Sequence, residues 1–165
     1  MITVVVDDLA FIEADAVLRP TDAHLSPVTP AVSRLDRLAG ERFAEQRRIS
    51  TALEAGAAVV TGGGELTAAY VLHVVIRDDR SGPGAEVIRR ALLSAWQRAR
   101  DFGLGTVASP LVGTGAGQLS VEEAATLLAQ TFPRPSGGEA PTELRIVVER
   151  EDEREIVEAI VRRLG

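Results

Sequence analysis

Short apolar runs alternate along the chain with longer segments of helical period. Runs at 2–6, 15–19, 57–61, 69–76, 105–110 and 143–149 are rich in Val, Ile and Ala, and predict six strands. Between them lie four helical patterns. Segment 30–54 carries Leu35, Leu38, Phe43, Ile49 and Leu53, with Pro30 suited to a first helical position and Gly40 expected to break or bend it. Segment 84–102 places Val87, Ala91, Ala95, Ala99 and Phe102 on one face, widened by Ile88, Leu92 and Trp96. Segment 120–132 opens with the capping-box pair Ser120 and Glu123, then repeats Val121, Ala124, Ala125, Leu128 and Phe132. Segment 151–164 begins with acids, as the helix dipole favours, and is expected to bury Ile156, Ile160, Val161 and Leu164.

Strands interleaved with helices predict an α/β domain, a mixed, mainly parallel six-stranded sheet covered on both faces. Ligands of such sheets bind at the carboxyl ends of the strands. Loops 19–32 and 61–67 are candidates for that edge, and the Pro/Gly-rich stretch 133–142 reads as a surface connection. No internal repeat breaks the pattern, so residues 1–165 are read as a single domain.

The segment with the most chemistry in it runs from Thr106-Val107-Ala108-Ser109-Pro110-Leu111-Val112 into Gly113-Thr114-Gly115-Ala116-Gly117. A strand ending in alternate glycines and then opening a helix suits an anion. Glycine permits close backbone approach, and successive N–H groups can converge on phosphate oxygens ahead of the helix N-terminus. An ordinary tight crossover has the same outline, so both readings stand at this point. A Walker loop needs a lysine, which the chain lacks, and the dinucleotide fingerprint fails at Gln118.

Composition narrows the chemistry further. There is no cysteine, hence no disulfide, thiolate metal site or thiol nucleophile. His24 and His73 have no ligand spacing, so no metal is expected, and no cofactor is called for. His73 sits in an apolar strand and reads as a packing residue; Trp96 and Tyr70 read as core or helix-face residues. Net charge is −6, which argues against general nucleic-acid binding through phosphate neutralisation. The first residues read as a strand, not a signal peptide, and no apolar stretch reaches membrane-spanning length, so a cytoplasmic protein is expected. Every basic residue is arginine, and asparagine is also missing, as in a high-GC genome or an adaptation to heat.

Four segments, in order, resemble the macrodomain family of ADP-ribose-binding α/β/α modules. Asp8-Leu9 with Ala14-Asp15-Ala16-Val17-Leu18 is similar to its opening strands. Gly56 to Leu66 resembles its "Gly-x-Ala-x-x-Thr-x-Gly-x-x-Leu" segment, and Ala69 to Val75 the strand after it. Val107 to Gly117 is similar to "Ile-Ala-Phe-Pro-x-Ile-x-Thr-Gly". The resemblance implies a three-layer α/β/α fold and ADP-ribose, or a similar nucleotide diphosphate, as ligand. It gives Asp8 the adenine amino group, beside the Leu9 backbone. To Gly113, Thr114, Gly115, Ala116 and Gly117 it gives the diphosphate and the distal ribose.

The first ligand loop departs from the family. Where active members carry Asn-Ala-Ala-Asn, this chain has Arg19-Pro20-Thr21-Asp22. Ser26-Pro27-Val28-Thr29-Pro30 replaces a glycine-rich stretch, and Val32 stands at the acidic position of hydrolytic members. An ionised Asp22 can only accept hydrogen bonds, and Pro27 and Pro30 have no N–H to give. A carboxylate in contact with a diphosphate is repulsive by ~1–4 kcal/mol. Arg19 either offsets that charge or lies solvated at a strand end. Glu149 and Gly117 stand where many members place a stacking aromatic, a contribution of ~1–3 kcal/mol per base. The expected function is binding of ADP-ribose or a related metabolite without efficient catalysis. The alternatives are an ADP-ribosyl hydrolase with Asp22 orienting water, and a remnant of the fold that binds no ligand.

Overall fold

The computed structural model describes residues 1–82, 84–115, 118–134 and 137–164. Its elements in chain order are β1 (Ile2–Val6), β2 (Ala16–Asp22), α1 (Pro30–Gln46), β3 (Ala58–Gly62), β4 (Tyr70–Arg77), α2 (Ala85–Asp101), β5 (Thr106–Ser109), α3 (Val121–Thr131), β6 (Glu143–Val148) and α4 (Glu151–Leu164). The strands form one sheet in the order β1-β6-β5-β2-β4-β3. All neighbours are parallel except β3, which runs antiparallel to β4. The sheet is thus mixed and mainly parallel, between helical layers.

Side-chain alternation along the strands separates two cores. Leu18, Leu72, Val74 and Ile146 face α2, α3 and α4. Val17, Val71, Ala108 and Val147 face α1 and the turn after β1, where Ala10, Ile12, Leu35, Ala39 and Phe43 pack. Burying a side chain of this size contributes about 1.5–3 kcal/mol, so both helical layers are held chiefly by apolar contact.

Several expectations shift in detail. β2 continues past Arg19 to Asp22, through Pro20. Proline is tolerated there because β5 pairs with β2 only at Ala16 and Val17, leaving β4 as the sole strand neighbour of Pro20. α1 stops at Gln46 and not near residue 54, and Leu53 N–H instead donates to Ala23 O at 2.8 Å. Gly40 breaks the helix as expected, at φ 87°, and the Ala39 carbonyl freed at the kink accepts from Glu65 N–H at 2.9 Å. In α4 the buried positions are Val157 and Ile160, with Val161 and Leu164 packed alongside, whereas Ile156 is exposed. The stripe 157, 160, 161, 164 is the regular helical face, and Ile156 lies one residue off it. Phe102 and Tyr70 are also exposed, while Trp96 is buried and donates from Nε1 to Thr131 Oγ1 at 3.0 Å. Loop 61–67 does not share the carboxyl edge, because antiparallel β3 delivers it to the opposite end of β4.

Candidate functional site

A cleft of about 660 Å³ opens at the carboxyl ends of the parallel strands. Its walls come from Asp7, Asp8 and Leu9 after β1, Val148 and Glu149 at β6, Gly113 to Gly115 after β5, and the first turns of α1. Asp8, Leu9, Gly113, Thr114 and Gly115 therefore surround one hollow. Ala116 and Gly117 lie outside the described residues.

The glycine loop is built for backbone exposure. Gly113 has φ 99°, a region that side chains disfavour, and a Cβ there would lie 2.6 Å from Ile88 Cδ1 and 2.8 Å from Leu119 Cδ1. Its carbonyl accepts from Leu119 N–H at 2.9 Å, and Thr114 Oγ1 donates to Leu111 O at 3.3 Å. The N–H groups of Gly113 and Gly115 meet no protein acceptor among the described residues. Across the cleft, Thr29 caps α1, its Oγ1 accepting from Val32 N–H at 3.3 Å and its carbonyl from Ser33 N–H at 3.0 Å. Pro30 has no N–H, so Ala31 is the one first-turn amide without a protein acceptor among the described residues. The two walls come close: a Cβ on Gly115 would lie 3.7 Å from Thr29 Cγ2.

The other end of the cleft is acidic. Asp7, Asp8, Glu149 and Glu153 line it, with Arg34 as the cation among the described lining residues. Asp8 accepts from Arg34 Nη1 at Oδ1 (3.1 Å) and from Arg34 Nη2 at Oδ2 (2.9 Å). Its Oδ1 also accepts from Ala10 N–H at 3.0 Å. The Arg34 hydrogen bond holds the Asp8 carboxyl below its usual value, outweighing the opposing effect of burial. Leu9 N–H, beside this carboxylate, has no protein acceptor among the described residues. The cleft is therefore polarised, with amides that lack an acceptor among the described residues at the β5 and α1 end and carboxylate acceptors at the β1 and β6 end.

Asp22 is placed differently. Its Oδ1 accepts from His24 N–H and Ser26 N–H, both at 2.9 Å, and its amide donates to Ser26 O. This closes a tight turn in which Leu25 takes φ 61°. The Asp22 side chain organises that turn and is not part of the cleft lining.

Arg19 neither faces the cleft nor lies in solvent, contrary to both expectations. Strand alternation sends it to the α1 side, where it is fully buried and forms two 2.7 Å hydrogen bonds with Asp36. Its guanidinium lies 5.6 Å from the Phe43 ring centroid, and its Nη1 is 3.1 Å from His73 Nδ1. Arginine has only donors, so His73 Nδ1 accepts and Nε2–H donates to Thr61 Oγ1 at 2.8 Å, which in turn donates to Gly62 O. Burial, reinforced by Arg19 and Arg47, pushes the His73 pKa well below its ordinary value. The ring is a neutral packing residue, as its apolar strand suggested.

Sequence reasoning missed Arg34, Thr29 and Asp36. Asp36 did leave a signal: it shares the α1 stripe of Val32, Leu35, Ala39 and Phe43, and a charge on a buried face requires a buried partner. Arg34 and Asp8 are 26 residues apart and leave no comparable trace.

The sequence model of the Macro domain matches residues 21–128. A macro domain-containing protein of Streptomyces coelicolor is 30% identical over 158 residues, covering 89% of this chain and 90% of that one. An uncharacterised protein of Aeropyrum pernix is 30% identical over 145 residues, 81% of this chain and 75% of its own length. The chain spans only 37% of an uncharacterised Mycobacterium bovis protein that it matches at 24% identity. Among solved structures, the Oceanobacillus iheyensis macrodomain with ADP superposes with a TM-score of 0.81 at 18% identity, over 98% of this chain and 90% of that one. A mutant of the same protein with ADPR gives 0.82 at 18%, over 98% and 91%. The extent of the sequence match, carried on a sheet of this order, shows that the chain belongs to the macrodomain family.

Proposed function

We propose that the cleft binds ADP-ribose or a closely related nucleotide diphosphate, as a recognition module without efficient catalysis. The observation that carries this is the polarity of one open hollow. The amides of Gly113, Gly115 and Ala31, which meet no protein acceptor among the described residues, suit a pyrophosphate at one end, and the Asp8 carboxylate beside Leu9 N–H suits an adenine edge at the other. The open volume also favours a ligand-binding module over a ligand-free remnant, since Pro27 and Pro30 do not fill the hollow. The solved macrodomains with ADP and ADPR support the choice of ligand.

Weak or absent catalysis follows from the duty of Asp22. One of its carboxylate oxygens is already held by two backbone amides in its own turn. A general base must reach the water it activates, and this carboxylate is spent on loop structure. Isothermal calorimetry with ADP-ribose tests the binding reading, and no heat at millimolar ligand rejects it. Release of ADP-ribose from a modified carboxylate side chain tests the catalytic one. Efficient turnover that disappears in Asp22→Ala would replace the module by a hydrolase.

A further inference from the structure

We infer that Arg34 is a specificity-determining residue, occupying the forked edge of Asp8 so that the cleft takes a base with a single amino donor and rejects a guanine-type edge. The inference rests on the nucleotide reading above and concerns which base that site selects.

The argument is an inventory of lone pairs. An ionised carboxylate offers about four acceptor positions, two on each oxygen. On Asp8, Oδ1 already receives Ala10 N–H at 3.0 Å and Arg34 Nη1 at 3.1 Å, so it is full. Oδ2 receives Arg34 Nη2 at 2.9 Å, which leaves one position. The side chain of Asp8 is 35% exposed, so that position is reachable from the cleft. Leu9 N–H beside it supplies one donor. The free pattern is therefore one acceptor next to one donor.

An adenine edge fits this pattern, since it presents an amino N–H next to a ring nitrogen acceptor. A guanine edge presents two adjacent N–H donors, which pair best with both oxygens of a carboxylate at once. That parallel, two-oxygen approach is the geometry in which guanidinium binds carboxylate, and Arg34 already fills it. Arg34 comes from α1, across the cleft from β1, and its side chain is half exposed, so its removal does not open a core. Lysine is a poor substitute, because a single ammonium does not make the planar fork.

The test compares ADP, GDP and inorganic pyrophosphate by calorimetry on the wild-type chain, Arg34→Ala and Arg34→Lys, with thermal melts confirming that each variant folds. The wild type is expected to prefer ADP over GDP by about tenfold or more, the scale of one well-formed paired contact. In Arg34→Ala the preference is expected to fall to within about threefold, with GDP gaining relative to ADP, and Arg34→Lys to lie between. Pyrophosphate reports the loss of anion affinity common to both nucleotides when this cation is removed, so the ADP-to-GDP ratio alone reads base selectivity. If Arg34→Ala shifts ADP and GDP by the same factor, or the wild type shows no preference, Arg34 does not set specificity. If the wild type binds neither nucleotide, the nucleotide reading itself falls, and this inference with it.

Discussion

Replacing Asp36 by alanine should damage the fold far more than removing an ordinary ion pair. Arg19 is fully buried, and Asp36 is only 8% exposed at the side chain; they are joined by two 2.7 Å hydrogen bonds. Asp36→Ala strands the guanidinium in an apolar layer, with His73 Nδ1 and the Phe43 ring as its remaining polar and aromatic partners among the described residues. Arg47 also loses its 3.7 Å contact with the same carboxylate. Removing one partner of a buried pair costs about 3–5 kcal/mol, whereas an exposed pair is worth about 0–1 kcal/mol. In a domain of this size, each kcal/mol lowers Tm by about 2–4 °C, so a fall of about 6–20 °C is expected by scanning calorimetry. Urea unfolding followed by circular dichroism gives the free energy directly. The double variant Arg19→Met with Asp36→Leu removes both charges and should recover most of the loss. A loss below about 1 kcal/mol in Asp36→Ala, or a double variant as unstable as the single losses summed, would refute the reasoning. The consequence reaches the cleft, because a stranded charge under α1 disturbs the packing of the helix that carries Thr29, Ala31 and Arg34 into the site.

Other perturbations separate fold from site. Gly113→Ala should lose about 2–5 kcal/mol in urea unfolding, combining overpacking against Ile88 and Leu119 with a left-handed backbone. Gly115→Ala, whose nearest contact is 3.7 Å away, should lose only about 1–2 kcal/mol, while Gly115→Leu should abolish ADP-ribose binding in a folded protein. The depressed pKa of His73 means that the native state prefers the neutral ring more than the unfolded chain does. Stability is then fully present above the ordinary value of 6.5 and is lost as pH falls below it, with a slope of up to about 1.4 kcal/mol per pH unit. His73→Gln should remove that slope and leave only the loss at lower pH to which Asp8 contributes; an unchanged profile would show that His73 is not its source.

The fold was largely legible because apolar runs and helical stripes are direct consequences of burial. Each predicted strand lies within a few residues of an observed one, and the Ser120–Glu123 capping box and the Gly40 break are local chemistry. The direction of β3 was also available in principle. A connection as short as Gly63 to Ala69 does not make a parallel crossover, so loop 61–67 had to leave the ligand edge. The site was half legible. Glycine spacing and Asp8 mark backbone and acceptor positions along single segments. Arg19 with Asp36, and Asp8 with Arg34, are pairings across the fold, and no local period announces them. Asp22 shows the complementary limit: its residue type suits acid–base work, but turn geometry decides what its oxygens do.

The most direct test of the account follows the backbone amides themselves. In ¹⁵N–¹H correlation spectra titrated with ADP-ribose, the resonances of Gly113, Gly115 and Ala31 should shift strongly and saturably, as N–H groups take up phosphate oxygens, while Gly103 and Gly138 stay still. Saturation with those three amides unmoved, or shifts confined to residues outside the cleft, would contradict it.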